Sequence, residues 1–236
     1  MNVQEIIRRS EESGYLISMI PMERLVEMGR EAGMGPQSTV LDLCCGYGEM
    51  LKLWHEAFGI RGLGVDQCEE FLQTGQRRLR EAGISDISLR RGDVLKFKSQ
   101  ESYDFVSCTE IFGSYGETVD LRARHLRPGG KLLMGSRYAK TDPVPPELTE
   151  FEGETLPLAR INAVVRARGW YMTGMASCTD AAWERYVMWS ARRHLAALRA
   201  HPDDTKARAW CDQWYEAYFG FRRACEGFAM FILEQE

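Results

Sequence analysis

Thr39-Val40-Leu41-Asp42-Leu43-Cys44-Cys45-Gly46-Tyr47-Gly48-Glu49-Met50 is the stretch on which the reading of this chain turns. Thr39 to Leu43 is short, largely apolar and β-prone, the next residues are small or glycine, and from Gly48 onward Met50, Leu51, Leu53, Trp54 and Phe58 recur at helical spacing. The segment predicts a strand over 39–43, a tight turn, and a helix over 48–58. Gly46 and Gly48 permit dihedrals that a Cβ forbids and let the backbone approach a ligand, while the first N–H groups of the helix lack partners within it. Such a turn is a cradle of the kind that holds nucleotides. Position 51 is Leu, so the three-glycine dinucleotide fingerprint is incomplete, and no Lys-Ser or Lys-Thr follows to make a P-loop.

Outward from the turn the pattern alternates. It predicts a helix at 69–82 and 117–126 and a strand at 61–66, 87–91, 103–108 and 131–135. Alternation at this spacing implies an α/β fold, doubly wound, with a parallel sheet covered by helices on both faces and ligands bound beyond the carboxyl ends of the strands. Asp42, Asp66, Asp93 and Glu110 fall at or just past such ends, on one rim.

The ordered set of the glycine turn, Asp66, Gly92-Asp93 and Arg127-Pro128-Gly129-Gly130 resembles the class I S-adenosylmethionine-dependent methyltransferases over residues 35–135. The family turn has glycine where this chain has Cys44, a departure that crowds the methionine end of the cofactor site. The resemblance implies a Rossmann-like, seven-stranded, mostly parallel sheet, with S-adenosyl-L-methionine as cofactor and S-adenosyl-L-homocysteine as product. It implies that Cys44, Gly46 and Gly48 lie along the methionine portion and that Asp42 anchors the amino group. Asp66 would hold the ribose hydroxyls and Gln67 would border the adenosine. Asp93 and Val94 would read the adenine edge, with Cys108 counted among the cofactor residues. Trp183-Glu184-Arg185-Tyr186 and the stretch from Glu226 to Leu233 are also similar to a bacterial group of small-molecule methyltransferases whose substrates are mostly unassigned.

In that family strands six and seven form an antiparallel pair, here expected at 171–178 and 228–234. Between them this chain inserts nearly fifty residues, read as a helix to about Ala200, a break at His201-Pro202-Asp203-Asp204 and a helix from Thr205 to Glu226 with a kink at Gly220. Trp210, Trp214, Tyr218 and Phe221 share one face of the second helix. The hairpin either packs this seam on itself and the sheet or caps the acceptor site. The whole chain reads as one methyltransferase domain, with an N-terminal helical segment at 1–35, a core at 36–178 and 227–236, and the insertion at 179–226.

Acceptor residues are less visible. Glu110 is a candidate catalytic residue that would hold an amine or take a proton from a hydroxyl. Tyr15, after an amphipathic helix at 3–12, either reaches the active site or belongs to a segment packed on the sheet. Phe112, Tyr115, Arg137, Tyr138, Trp183 and Tyr186 are candidate substrate-binding residues, Arg137 being suited equally to an acceptor carboxylate and to a structural ion pair. The segment after Gly135 reads as a long proline- and acid-rich loop, a lid or a solubilising connection.

Bulk properties narrow the class. The 236 residues carry a net charge of -4, and the pI near 5.7 provides no field for nucleic acid. Arg122, Arg124 and Arg127 are expected on solvated surface. Seven cysteines without a C-x-x-C pair argue against a disulfide framework and against a metal site, and no apolar run suits a signal or a span. The expectation is a cytoplasmic, metal-independent enzyme with a small-molecule substrate, no nucleic acid or membrane partner, and an insertion seam open to homodimer formation. Two alternatives are a non-catalytic cofactor-binding protein and an NAD-dependent Rossmann oxidoreductase.

Overall fold

The computed structural model describes residues 18–236 together with Gln4 and Gly14. Tyr15 and the side chains of the expected 3–12 helix lie outside the described residues. Among the described elements helix α1 (Met22–Ala32) comes first, then β1 (Thr39–Leu43), α2 (Glu49–Phe58), β2 (Arg61–Asp66), α3 (Glu69–Glu81), β3 (Ile87–Arg91) and β4 (Tyr103–Cys108). There follow α4 (Tyr115–Ala123), β5 (Leu126–Ala139), α5 (Pro146–Glu152), α6 (Leu158–Arg166) and β6 (Trp170–Ser177). The insertion holds α7 (Asp180–Ala200) and α8 (Thr205–Ala217), and β7 (Glu226–Gln235) ends the described elements.

The seven strands form one sheet in the order β3-β2-β1-β4-β5-β7-β6. All pairings among β1 to β5 are parallel, and β7 runs antiparallel between β5 and β6. Strand order reverses at β1, so the crevice past the carboxyl ends of β1 and β4 is where such a sheet receives a ligand.

Period-two alternation puts a core on each face. Val40, Met230 and Ile232 pack with α1 and α2, whereas Leu41, Leu43, Phe231 and Leu233 pack with Val119, Ile161 and Val165 of α4 and α6. Trp54 is fully buried and donates its indole N–H to the Leu25 carbonyl at 2.9 Å, fastening α2 to α1. Gly75 is where α3 meets the turn, since a Cβ there would stand 2.3 Å from the Tyr47 carbonyl oxygen.

Several expected boundaries move. Strand β5 is fourteen residues long rather than the expected 131–135, because Ser136, Arg137, Tyr138 and Ala139 pair with Ala229, Phe228, Gly227 and Glu226 of β7. The expected loop therefore starts later and contains α5. Helix α4 begins earlier than 117, at a capping box in which the Ser114 hydroxyl accepts from the Glu117 N–H and the Glu117 carboxylate accepts from the Ser114 N–H. Gly220, the expected kink, lies within a π-helical turn, Tyr218–Arg222. Arg122 is fully buried, contrary to its expected surface position, and its guanidinium donates to the Glu110 carbonyl.

Candidate active site

The turn after β1 is held open by its own hydrogen bonds. Cys44, Gly46 and Gly48 all have left-handed backbones, with φ of 63°, 55° and 70°. Glycine takes this conformation freely and cysteine at a cost, which is a physical reason for the small residues here. The Cys44 and Cys45 N–H groups donate to the Val65 carbonyl. The Asp66 carboxylate accepts from the Gly46 and Cys68 N–H groups, each at 2.8 Å, so one oxygen braces the turn and the other the start of α3. Each oxygen keeps a second lone pair.

Asp42 is 2% exposed, and beside it on β4 the Ser107 hydroxyl donates to its Oδ1 at 2.6 Å. Burial pushes its carboxyl up to about 8 against the opposing hydrogen bond. The Cys108 side chain and burial together push the Cys44 thiol up, leaving it a neutral wall group.

Two cavities meet here. The first, about 230 Å³, is lined by Asp42, Cys44, Gly46, Tyr47 and Asp66, with Glu49 and Phe71. The second, about 250 Å³, is lined by Tyr115, Ser136, Arg137, Glu152, Glu154, Tyr186 and Phe228. Ser18, Thr109 and Glu110 belong to both walls. Glu110 thus stands at the junction. Desolvation by its surroundings raises its pKa, with Arg137 and Arg122 opposing the rise.

The second chamber is framed by a closed ring of four charges. Arg137 on β5 pairs with Glu152 at 3.0 Å and Glu226 at 3.2 Å, and Arg222, from the π-helical turn, pairs with Glu152 at 2.6 Å and Glu226 at 2.7 Å. Of the two roles open to Arg137, the ion pair is the one present. Tyr115 is buried, its pKa raised by burial to about 12, and its hydroxyl donates to the Arg137 carbonyl. Burial also raises Tyr186, which reaches the chamber from α7.

Other expected site residues stand apart from the two cavities. Asp93 is exposed, accepts from the Leu95 N–H and pairs with Lys96, while the Val94 side chain is buried and Gln67 is exposed. Cys108 is fully buried beneath the rim. Trp183 packs in the core at 6.4 Å from the Tyr218 ring, and Tyr138 lies against Gly227. Phe112 packs, half-buried, on the core under α4, and its N–H and carbonyl bond the Thr118 hydroxyl. Residues that the sequence reading missed are Glu49, Phe71, Thr109 and Ser136; Glu152 and Glu154 stood in the acidic loop without an assigned role. Only the fold brings them to the cavities, although Glu49 directly follows the glycine turn.

Among the described residues no helix is long and apolar enough to cross a membrane, and no three metal-ligating side chains gather. A family profile described as a methyltransferase domain matches residues 40–130. The uncharacterized protein YjhP of Escherichia coli K12 is 28% identical over 99% of both chains, and its crystal structure superposes with a TM-score of 0.86. An S-adenosylmethionine-dependent methyltransferase from Geobacter sulfurreducens, solved with S-adenosyl-L-homocysteine, is 27% identical over 98% of each chain with a TM-score of 0.86. Another from Thiobacillus denitrificans, in complex with the same molecule, is 26% identical over 96% of each chain with a TM-score of 0.85. Residues 40–130 therefore carry a methyltransferase domain, and sheet order, the glycine turn at the switch point and likeness along nearly the whole length give the chain the class I S-adenosylmethionine-dependent methyltransferase fold.

Proposed function

We propose that the chain methylates a small molecule at a nucleophilic nitrogen, oxygen or sulfur, with the cofactor in the first cavity and the acceptor in the second. The observation that carries this reading is the junction at Thr109 and Glu110, where the two cavities share a wall. Cofactor-bound relatives at full length support the assignment of the first cavity.

The residues fit an adenosyl amino acid. Gly46 lines the cavity without a side chain, while the missing Cβ of Gly48 makes room for Leu89 in the core; Asp66 has free lone pairs for a ribose diol, and Asp42 offers a buried carboxyl to an ammonium group. When bound, S-adenosylmethionine supplies a methyl group on a positively charged sulfur, already activated toward attack. The protein therefore has to align and desolvate. The acceptor chamber fixes an incoming lone pair on the line through the junction, and the walls from β5, α5 and α7 keep water out. Glu110 is the group placed to take the acceptor's proton. The insertion belongs to the acceptor side through Tyr186, and the chain acts as one domain.

Calorimetry of S-adenosylmethionine, S-adenosylhomocysteine and NADH with the native protein and Asp66→Ala tests the cofactor site. The first two should bind and NADH should not, and the variant should lose tenfold or more in affinity, about 1.5–3 kcal/mol for charge-assisted bonds. Binding of NADH in preference to both sulfur compounds would overturn the reading.

A further inference from the structure

The acceptor chamber offers hydrogen-bond acceptors in excess of donors. Arg137, the one lining cation among the described residues, is shared between Glu152 and Glu226, whose other oxygens pair with Arg222, so the four charges cancel within the wall. The Tyr115 hydroxyl has given its proton to the Arg137 carbonyl. The Glu154 carboxylate accepts from the Tyr115 N–H at 3.2 Å.

Among the described lining residues two acceptors matter most. The Glu110 side chain makes no ion pair or hydrogen bond among the described residues and faces both cavities. Ser136 is 1% exposed and lines the chamber; its hydroxyl stands close to that of Tyr115 but meets the geometry of a hydrogen bond with no described residue. A buried hydroxyl left in this state costs free energy that a ligand can recover.

We propose that the acceptor is a basic amine, held by Glu110 and Ser136, with Glu110 facing the methyl group in transit. This rests on the methyl-transfer reading above and names the substrate class of the same site. An amine brings two or three N–H donors to a wall that has acceptors to spare. A carboxylate would instead meet Glu110 and Glu154 as like charges, with the arginines already committed. The amine binds as its ammonium form and sheds one proton to solvent; the freed nitrogen lone pair then forms the new N–C bond as the C–S bond breaks, its electron pair staying on sulfur as a neutral thioether, and one N–H proton of the methylated ammonium passes to the Glu110 carboxylate. Charge and atoms balance without an added reactant. Glu110 is exposed toward the cavities, and its surroundings raise its pKa by desolvation, against Arg137 and Arg122 and with Glu152, in the direction that favours taking up a proton.

Sinefungin tests the junction directly, since it carries an amine on the carbon that replaces the sulfonium and its methyl. Calorimetry at pH 7.5 compares sinefungin with S-adenosylhomocysteine on the native protein, Glu110→Gln and Glu110→Asp. The native protein should prefer sinefungin by about tenfold, the worth of one charge-assisted contact. That preference should vanish in Glu110→Gln and partly return in Glu110→Asp. Equal affinities, or a preference that survives Glu110→Gln, would overturn the amine assignment while leaving the cofactor cavity intact. Failure of both compounds to bind the native protein would instead sink the methyl-transfer reading itself. As a second readout, S-adenosylhomocysteine release is followed with primary and secondary amines against matched alcohols, thiols and carboxylates. Turnover with amines is expected, and turnover confined to the other classes refutes the proposal.

Discussion

Asp42 illustrates how one residue couples the site to solution conditions. Its carboxyl rises from 3.8 to about 8 on burial, so between these values the folded protein holds a proton that the unfolded chain has released. Its contribution to stability is complete below about 3.8 and is lost as pH climbs through about 8. Asp42→Asn, which stays neutral, should lose less stability than the native protein between acidic and mildly alkaline pH, measured by urea unfolding at each pH. A cationic amino group set against Asp42 favours the ionised form, so cofactor binding at neutral pH should expel a proton. Calorimetry in buffers of different ionisation enthalpy should find a release approaching one proton for the native chain and none for Asp42→Asn. Gly75 gives a steric counterpart. A methyl group there would sit 2.3 Å from the Tyr47 carbonyl, so Gly75→Ala should cost about 1–3 kcal/mol in urea unfolding and weaken cofactor binding by shifting the turn.

At the scale of elements, the ring of Arg137, Glu152, Arg222 and Glu226 clamps β5, α5, the π-helical turn and β7 together. Arg222 is 3% exposed and Glu226 is fully buried. Removing one partner strands the others, so Arg222→Met should destabilise the fold by about 3–5 kcal/mol in denaturant unfolding. Adding Glu152→Gln and Glu226→Gln should recover part of that loss. Of this clamp the sequence offered only an ion-paired role for Arg137; its partners were hidden, because the members are scattered from 137 to 226 and only tertiary pairing assembles them. The same cause hid the true length of β5: local periodicity stops at Gly135, yet pairing with β7 extends the strand to Ala139. By contrast β1, β2, β3 and β4 were read to the residue: β1 and β4 are short buried runs bounded by turns, and the edge strand β3 shows its alternation in Ile87 and Leu89.

For the whole molecule, the order of strands and helices specified a parallel sheet and the rim on which Asp42, Asp66 and Glu110 meet, while the antiparallel pair that closes it came from the family resemblance. The acceptor side was not, because its wall is drawn from β5, α5, α7 and the residues just before α1, which have no common motif. The insertion that supplies part of this wall is built on an aromatic seam. Trp214 stacks on Tyr218 at 6.3 Å, His194 stands edge-on to Trp210 and Trp214, and Trp189 lies 6.2 Å from Tyr186, itself a chamber residue. Four of the six tryptophans, Trp183, Trp189, Trp210 and Trp214, therefore sit on this one hairpin, while Trp54 and Trp170 are buried in the core. The protein carries its own optical reporter. Emission from the native chain is weighted toward the acceptor side, so filling the chamber past Tyr186 will register as a change in intensity or wavelength that cofactor binding alone produces weakly.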